Sequence, residues 1–368
     1  MRNPFLSLFF LLFLALSLIS CSKLSLREKS PGNDPDDTSS KPLSYQHGIF
    51  VVNEGNYTWG NASISFIDSL GNIPVQSIFK KENGRNLGDV AQSMNIFDSL
   101  GYIVVNNSNR IEIVDIKTFK SVKTITGFFM PRYIEFIDSS KAYVTNLQRG
   151  ISILDLSSGK ISGTIPVNGW TENLVCLGSH IYVSLIGEFK EPSSGRKPQI
   201  LVIDTQTDKI IDTIATGKEP IGMVLDKHQK IWVLCSGGYD NFEIPTLMRI
   251  NPNLRKTEAV FKFPTGQSKP SRLSINPSGD TLCFLNGGVF RMATDSPGIP
   301  VHPVVNADGR FFYGFSVHPR TGDLFIGDAI DYVQNGMVYQ YSPHGQLIKQ
   351  FVVGRIPGAF CFTPDNDR

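Results

Sequence analysis

The sequence predicts an all-β fold: a seven-bladed β-propeller that is closed by a C-terminal strand completing the N-terminal blade. Six internal segments open with similar short runs, which begin at Gln92, Pro131, Thr171, Pro220, Pro270 and Phe312. A seventh opening, Pro357–Phe362, has no blade after it. The first unit, residues 48–79, has three strand-like runs and lacks an opening one. The C-terminal run fits this vacancy, and pairing it there would protect an exposed sheet edge.

Each unit spans roughly 40 to 50 residues, the length of a four-stranded blade. Blade 2 shows the plan, with strand-like runs at residues 91–97, 102–106, 110–115 and 121–126. Several runs alternate apolar and polar residues or are rich in β-branched and aromatic ones. Blade 6 is degenerate, and no segment after the N-terminal leader shows a sustained helical period. The repeat therefore indicates one circular domain, although 368 residues would otherwise suggest two or three.

An aspartate recurs at the end of the third strand-like run of several blades, at positions 68, 115, 155 and 204. A turn follows each, and aspartate side chains accept backbone N–H bonds in such turns. Calcium ligation is the functional alternative. The acids stand one per blade, too far apart to share an ion, so the pattern favours turn chemistry.

The N-terminus is predicted to be a targeting segment, a signal peptide over residues 1–20. Residues 5–19 are almost wholly apolar but too short for a comfortable transmembrane helix. The run ends Leu18-Ile19-Ser20-Cys21, which resembles a bacterial lipobox and implies cleavage before Cys21 and its lipidation. An ordinary signal peptide that contains a cysteine is the alternative. Residues 21–46 are polar and proline-containing, so we expect a flexible tether that anchors the propeller, residues 47–368, at the outer membrane and exposes it at the surface.

Composition and motifs argue against catalysis. The net charge of +2 creates no strong field for nucleic acid. The six histidines form no metal spacing with one another or with cysteine, and the cysteines beyond the leader lie in apolar runs typical of buried strands. No nucleophile elbow, zinc helix or phosphate loop is present. We therefore predict a protein that is not an enzyme and needs no metal or cofactor. A propeller enzyme whose site is assembled from distant blades is the alternative.

Binding chemistry concentrates on one predicted face. In a propeller, the loop between the second and third strands of a blade shares a face with the connections from one blade to the next. These segments carry the predicted ligand-binding residues Asn53, Tyr57, Trp59, Asn86, Asp89, Arg132, Trp170, Glu172, Tyr239, Phe312, Tyr313, Asp331 and Tyr332. Rigid aromatics beside amides and charges suit a large amphipathic organic ligand. The alternative is that several of the aromatics pack between blades.

Several motifs resemble a known family. Asn53-Glu-Gly-Asn-Tyr57 and the segments at residues 61–68, 87–94, 105–115, 131–133 and 336–362 resemble the YncE-like, DUF5074-containing propeller lipoproteins of Bacteroidetes. The resemblance covers essentially the whole chain after the leader, and its best characterised branch is that of the BtuG surface cobalamin-binding lipoproteins. It implies capture of cobalamin or another corrinoid and transfer to a TonB-dependent outer-membrane transporter. Two alternatives stay open: a protein-interaction scaffold of an envelope complex, and a lactonase-like or quinoprotein-like enzyme.

Overall fold

The computed structural model describes residues 44–71, 74–187, 197–238 and 243–364. Over these residues, seven antiparallel sheets form a closed ring, because the inner strand of each sheet contacts the inner strands of its two neighbours. The predicted seven-bladed β-propeller is confirmed. The signal peptide, Cys21 and the tether up to residue 43 lie outside the described residues.

The first four blades contain fifteen of the strands and one short helix. Blade 1 contains β1 (Gly48–Asn53), β2 (Ser63–Asp68) and the last strand, β27 (Pro357–Phe362), and is followed by α1 (Ile78–Asn83). Blade 2 contains β3 (Ala91–Phe97), β4 (Leu100–Val105), β5 (Arg110–Asp115) and β6 (Ser121–Thr126). Blade 3 contains β7 (Pro131–Phe136), β8 (Lys141–Asn146), β9 (Ile151–Asp155) and β10 (Lys160–Ile165). Blade 4 contains β11 (Trp170–Leu177), β12 (His180–Gly187), β13 (Gln199–Asp204) and β14 (Lys209–Ala215).

The remaining blades follow the same order from the inner strand outward. Blade 5 contains β15 (Pro220–Leu225), β16 (Ile231–Cys235), β17 (Thr246–Asn251) and β18 (Lys256–Lys262). Blade 6 contains β19 (Ser271–Ile275), β20 (Thr281–Leu285), β21 (Gly288–Ala293) and β22 (Val305–Asn306). Blade 7 contains β23 (Phe312–Val317), β24 (Leu324–Asp328), β25 (Met337–Tyr341) and β26 (Leu347–Val352). The degeneracy predicted for blade 6 appears as the two-residue outer strand β22.

The C-terminal strand closes the ring as the sequence predicts. β27 pairs antiparallel with β1, and Val51 stands opposite Phe360. Just beyond the strand, the Thr363 N–H donates to the Gly48 carbonyl at 3.0 Å. The two ends of the domain therefore share one blade, and neither end is free to fray.

The hydrophobic core lies between the blades. Successive residues of a strand point to opposite faces of its sheet. Accordingly Phe50 and Val52 of β1 enter a cluster shared with blade 2, whereas Val51 enters a cluster with Phe325 of blade 7. Each blade is held through both of its faces, and this rigidity allows loops of distant blades to act together.

The prediction of a third strand in the first unit is wrong in part. Only Val75 pairs with β2, through an isolated bridge to Phe66. The chain then turns at Ser77, which has a left-handed backbone, and enters α1. This helix of about one and a half turns buries Ile78 and Phe79 in the blade 1 core. The apolar residues that suggested a strand are therefore buried by a short helix instead.

Asp115, Asp155 and Asp204, three of the four recurring aspartates, perform the predicted turn chemistry. Asp115 Oδ1 accepts the Thr118 N–H at 2.8 Å, and Asp204 Oδ1 accepts the Thr207 N–H at 2.8 Å. Asp155 does the same for Ser158. These carboxylates close the turns that connect the third and fourth strands of their blades.

Candidate functional site

The inner strands of all seven blades begin with a register shift at the same end of the ring. An extra residue in one strand is a β-bulge, which turns a side chain out of the ladder. At each shift the inner strand contains a residue that has no partner in the ladder, and one such residue from each blade stands around the axis of the ring. These seven residues are Gln92, Arg132, Glu172, Ile221, Arg272, Tyr313 and Gly358. We call this set the mouth.

Glu54 fills the place that Gly358 leaves without a side chain. Glu54 directly follows β1, and a Cβ atom added at Gly358 would overlap its Oε1 atom. The Tyr313 hydroxyl donates to Glu54 Oε2 at 2.8 Å, and Arg272 Nη2 lies 3.5 Å from Glu54 Oε1. Closure of the ring therefore brings Glu54 and Gly358, from the first and last strands of the propeller, together at the mouth and completes it.

One side of the mouth is a buried ion pair. Arg132 Nε and Nη2 donate to the two carboxylate oxygens of Glu172 at 2.8 and 2.5 Å, and Arg132 Nη1 donates to Gln92. The Glu172 side chain is only 7% exposed. Burial opposes the charge of Arg132, but Glu172 outweighs it and raises the pKa of the guanidinium. This bidentate arrangement, the strong form of such a pair, links blades 2, 3 and 4.

The opposite side is held less tightly. Arg272 has a left-handed backbone with φ of 54°, uncommon for a residue other than glycine. Its Nε atom donates to the Tyr313 carbonyl at 3.0 Å, and its guanidinium carbon lies 5.1 Å from the centre of the Tyr313 ring. Burial opposes its charge, but Tyr133, Tyr313 and Glu54 together raise its pKa. The side chain remains 23% exposed.

Tyr133 lies between the two sides. Burial raises the pKa of its hydroxyl, Glu172 adds to this effect, and Arg132 and Arg272 oppose it. The residue is half-buried. Within the described residues its hydroxyl has no hydrogen-bond partner, and its hydrogen bonds to Thr145 use only its backbone N–H and carbonyl.

A cleft of about 530 Å³ opens at the mouth. Its lining includes Arg132, Tyr133, Glu172, Ile221, Arg272 and Tyr313. Aromatic residues form one wall: Phe311 and Tyr332 meet edge to face at 5.1 Å, and Tyr313 and Tyr332 at 5.8 Å. A cleft with an aromatic wall and an ionic rim suits a ligand with both apolar and polar surfaces.

The structure brings five of the predicted ligand-binding residues together in this cleft, namely Arg132, Glu172, Phe312, Tyr313 and Tyr332. They come from blades 3, 4 and 7. In this group, a loop and inter-blade connections from three blades therefore meet at one cleft.

Three predicted residues stabilise loops instead. Asn53 is fully buried, and its amide donates to Ser65 Oγ at 3.0 Å. Asp89 accepts the Thr58 N–H at 2.8 Å. Asp331 accepts the N–H groups of the two turn residues 333 and 334. Polar loop residues of these types are ambiguous in sequence, because binding and turn stabilisation use the same atoms.

The other predicted residues do not line the cleft. Tyr57 and Trp59 are 64% and 74% exposed in the β1–β2 loop. Trp59 and Asn86 border a separate cavity of about 260 Å³. Trp170 borders another, of about 550 Å³. Tyr239 lies outside the described residues.

Sequence reasoning missed Glu54, Gln92, Tyr133, Ile221, Arg272 and Phe311. A usable signal existed for most of them. Gln92, Tyr133, Ile221 and Arg272 stand within the first three residues of the repeated opening runs, so comparing those positions across the units would have found them. Glu54 gave no such signal, because it reaches a partner 259 residues away only through ring closure.

Farther along β7, Glu135 is a half-buried carboxylate with no hydrogen bond to a described residue. Burial raises its pKa to about 7. Between pH 4.5 and about 7, the Glu135 carboxyl is therefore mostly protonated in the folded state and mostly ionised in the unfolded chain. Stability should fall as the pH rises through this interval and stay level above it.

Replacing Glu135 with glutamine should raise the free energy of unfolding at pH 8 by about 2 kcal/mol, because the buried charge is removed. At pH 4.5 the two proteins should differ little, since the native carboxyl is then protonated. Urea unfolding at both pH values measures the effect. The same pH dependence of stability in the variant and the wild type would contradict it.

No group of three or more metal-ligating side chains occurs within the described residues. Cys235, Cys283 and Cys361 are buried free thiols, as predicted, and Cys176 is half-buried. Among the described helices, none is long and apolar enough to span a membrane.

The model of the family described as "Domain of unknown function (DUF5074)" matches residues 47–354, which is most of the chain. The chain belongs to the DUF5074 family. No curated protein matches this DUF5074 chain in sequence.

Solved structures similar to the DUF5074 chain support the fold. A quinonprotein alcohol dehydrogenase-like protein from Bacteroides thetaiotaomicron is 17% identical, with a TM-score of 0.66 over 87% of this chain and 79% of that one. Kuenenia stuttgartiensis hydrazine synthase is 14% identical, with a TM-score of 0.57 over 75% and 90%. BamB from Moraxella catarrhalis is 14% identical, with a TM-score of 0.53 over 88% of each chain. At these identities the likeness shows the fold alone.

Proposed function

We propose that this protein is a lipid-anchored protein of the outer-membrane surface that captures an amphipathic nutrient at the mouth and passes it to a TonB-dependent transporter. The proposed ligand is cobalamin or another corrinoid. The protein acts as a binding module and performs no chemistry on the ligand.

The observation that carries the proposal is the cleft at the mouth. Its aromatic wall, built by Phe311, Tyr313 and Tyr332, offers flat apolar surface at a small cost in conformational entropy. Its ionic rim offers hydrogen-bond donors and acceptors. A corrinoid combines a broad apolar ring system with amide groups at its periphery, so both halves of the cleft would find a partner.

The sequence resemblance to the BtuG branch adds the ligand class and the transporter. Membership of the DUF5074 family is consistent with that resemblance but does not by itself specify a ligand. The lipobox at Cys21 adds the anchor. A lipid anchor keeps the protein at the membrane without a spanning helix.

Isothermal titration of the purified protein with cyanocobalamin tests the capture step. We expect a saturable isotherm, and we expect Tyr332→Ala to weaken binding about tenfold, because an aromatic contact of ~1.4 kcal/mol is lost. Trp59→Ala is the matched control, since this exposed aromatic borders a different cavity. Absence of heat together with absence of co-purified corrinoid would refute the ligand.

Affinity purification from solubilised membranes tests the transfer step. We expect a TonB-dependent transporter to be recovered with the protein. Recovery of another envelope complex, together with no corrinoid binding, would favour the scaffold alternative instead.

A further inference from the structure

The charges at the mouth are already compensated. Arg132 is paired with Glu172, and Arg272 faces Glu54. Arg310, which also lines the cleft, donates to the carbonyls of residues 306 and 307 and to the Tyr341 hydroxyl. Lys269 lines the same cleft as an exposed residue outside the ring of bulges. An anionic group placed between Arg132 and Arg272 would therefore meet cations that already face a carboxylate, and it would lie beside Glu172 and Glu54.

Hydrogen-bonding capacity, in contrast, is left over. The Tyr133 hydroxyl has no partner among the described residues. Arg272 uses Nε on the Tyr313 carbonyl, and its terminal nitrogens make only the 3.5 Å approach to Glu54. Glu172 accepts two hydrogen bonds from Arg132, whereas a carboxylate has about four lone-pair sites. The mouth thus offers spare donors and a spare acceptor with little net charge.

These groups stand in a definite order around the axis. Glu172, Ile221 and Arg272 come from the consecutive blades 4, 5 and 6, and all three line the cleft with Tyr133. An acceptor and a donor thus flank an apolar side chain. A primary carboxamide matches the two polar groups, because its nitrogen donates and its oxygen accepts.

We infer that the mouth binds an uncharged carboxamide of the ligand in preference to a carboxylate. Arg272 and Tyr133 donate to the amide oxygen, and Glu172 accepts from the amide nitrogen. A carboxylate has no hydrogen to offer Glu172, and its burial there would leave two like charges close together. This inference deepens the proposed function and rests on it for the identity of the whole ligand, since amides surround a corrin ring.

Titration of the purified protein with benzamide and with benzoate, followed by ligand-observed NMR, tests the inference. The two probes share a phenyl ring and differ in the group offered to the mouth, which is a carboxamide in benzamide and a carboxylate in benzoate. We expect benzamide to bind at least about fivefold more tightly than benzoate, and Tyr133→Phe to weaken benzamide binding about fivefold, as expected for the loss of one hydrogen bond. The unfolding midpoint of this variant should not change, because the hydroxyl bonds to no described residue. Tyr102→Phe, which removes a hydroxyl within blade 2, should leave binding unchanged.

Tighter binding of benzoate than of benzamide, equal binding of the two, or no binding of either would overturn the inference. So would unchanged benzamide affinity in Tyr133→Phe. If only the proposed function is wrong, the result is different. Cyanocobalamin then does not bind, but the preference for benzamide and its dependence on Tyr133 persist. The ligand would then be a different amide.

Discussion

Replacing Arg132 with methionine should lower the free energy of unfolding by about 3 to 5 kcal/mol, because Glu172 would remain as a buried charge without its partner. The expected loss exceeds what the removal of an exposed ion pair produces. Two hydrogen bonds to Glu172 and one to Gln92 disappear together, so blades 2, 3 and 4 lose the side-chain hydrogen bonds of Arg132 at the mouth. Denaturant unfolding of the variant and the wild type measures the difference.

The double variant Arg132→Met/Glu172→Met is the informative control. It removes both charges, so most of the stability should return even though the ion pair is absent. A double variant as unstable as Arg132→Met would show that the pair acts through something other than charge compensation. Corrinoid binding should be weaker in the double variant than in the wild type, because one side of the ionic rim is removed while the fold is intact.

Ending the chain at residue 356 should abolish cooperative folding, because blade 1 then lacks its inner strand. β27 contributes the buried side chains of Phe360 and Cys361 and the whole ladder with β1. We expect a loss of more than about 5 kcal/mol, which is comparable to the total stability of many domains. Near-UV circular dichroism and the slope of urea unfolding would report the loss of fixed packing.

A synthetic peptide covering residues 357–364 provides the control for this truncation. Added in excess, the peptide should restore the native spectrum by occupying the vacant inner position. A truncated chain that unfolds at the wild-type midpoint without the peptide would contradict the role assigned to closure. A peptide with Gly358→Ala should rescue less well, since the added methyl group would overlap Glu54.

The fold could be predicted from sequence to a large extent, and the reason lies in the repeat. Each opening run is an inner strand, so seven similar runs predicted seven blades and placed Pro357–Phe362 in the first of them. The exception, residues 78–83, is instructive. A short apolar run is compatible with a strand or with a turn of buried helix, and its pattern does not distinguish them.

The site could be predicted only in part. Arg132, Glu172 and Tyr313 were found because they stand at blade junctions, which a propeller places on one face. The bulges that turn these side chains toward the axis were not predictable, since an extra residue in a strand leaves the apolar pattern nearly unchanged. The role of Glu54 follows from the absence of a side chain at Gly358, a relation between positions at opposite ends of the chain. Asn53 and Asp331 do not line the cleft, because Asn53 is fully buried and Asp331 accepts hydrogen bonds from its own turn.

Hydrogen–deuterium exchange with and without saturating cyanocobalamin tests most directly whether the mouth is the binding site. We predict that the ligand slows exchange in peptides that contain the starts of β7, β11, β19 and β23, and leaves the outer strands of the blades unchanged. Slower exchange confined to the β1–β2 loop around Trp59 would contradict the account.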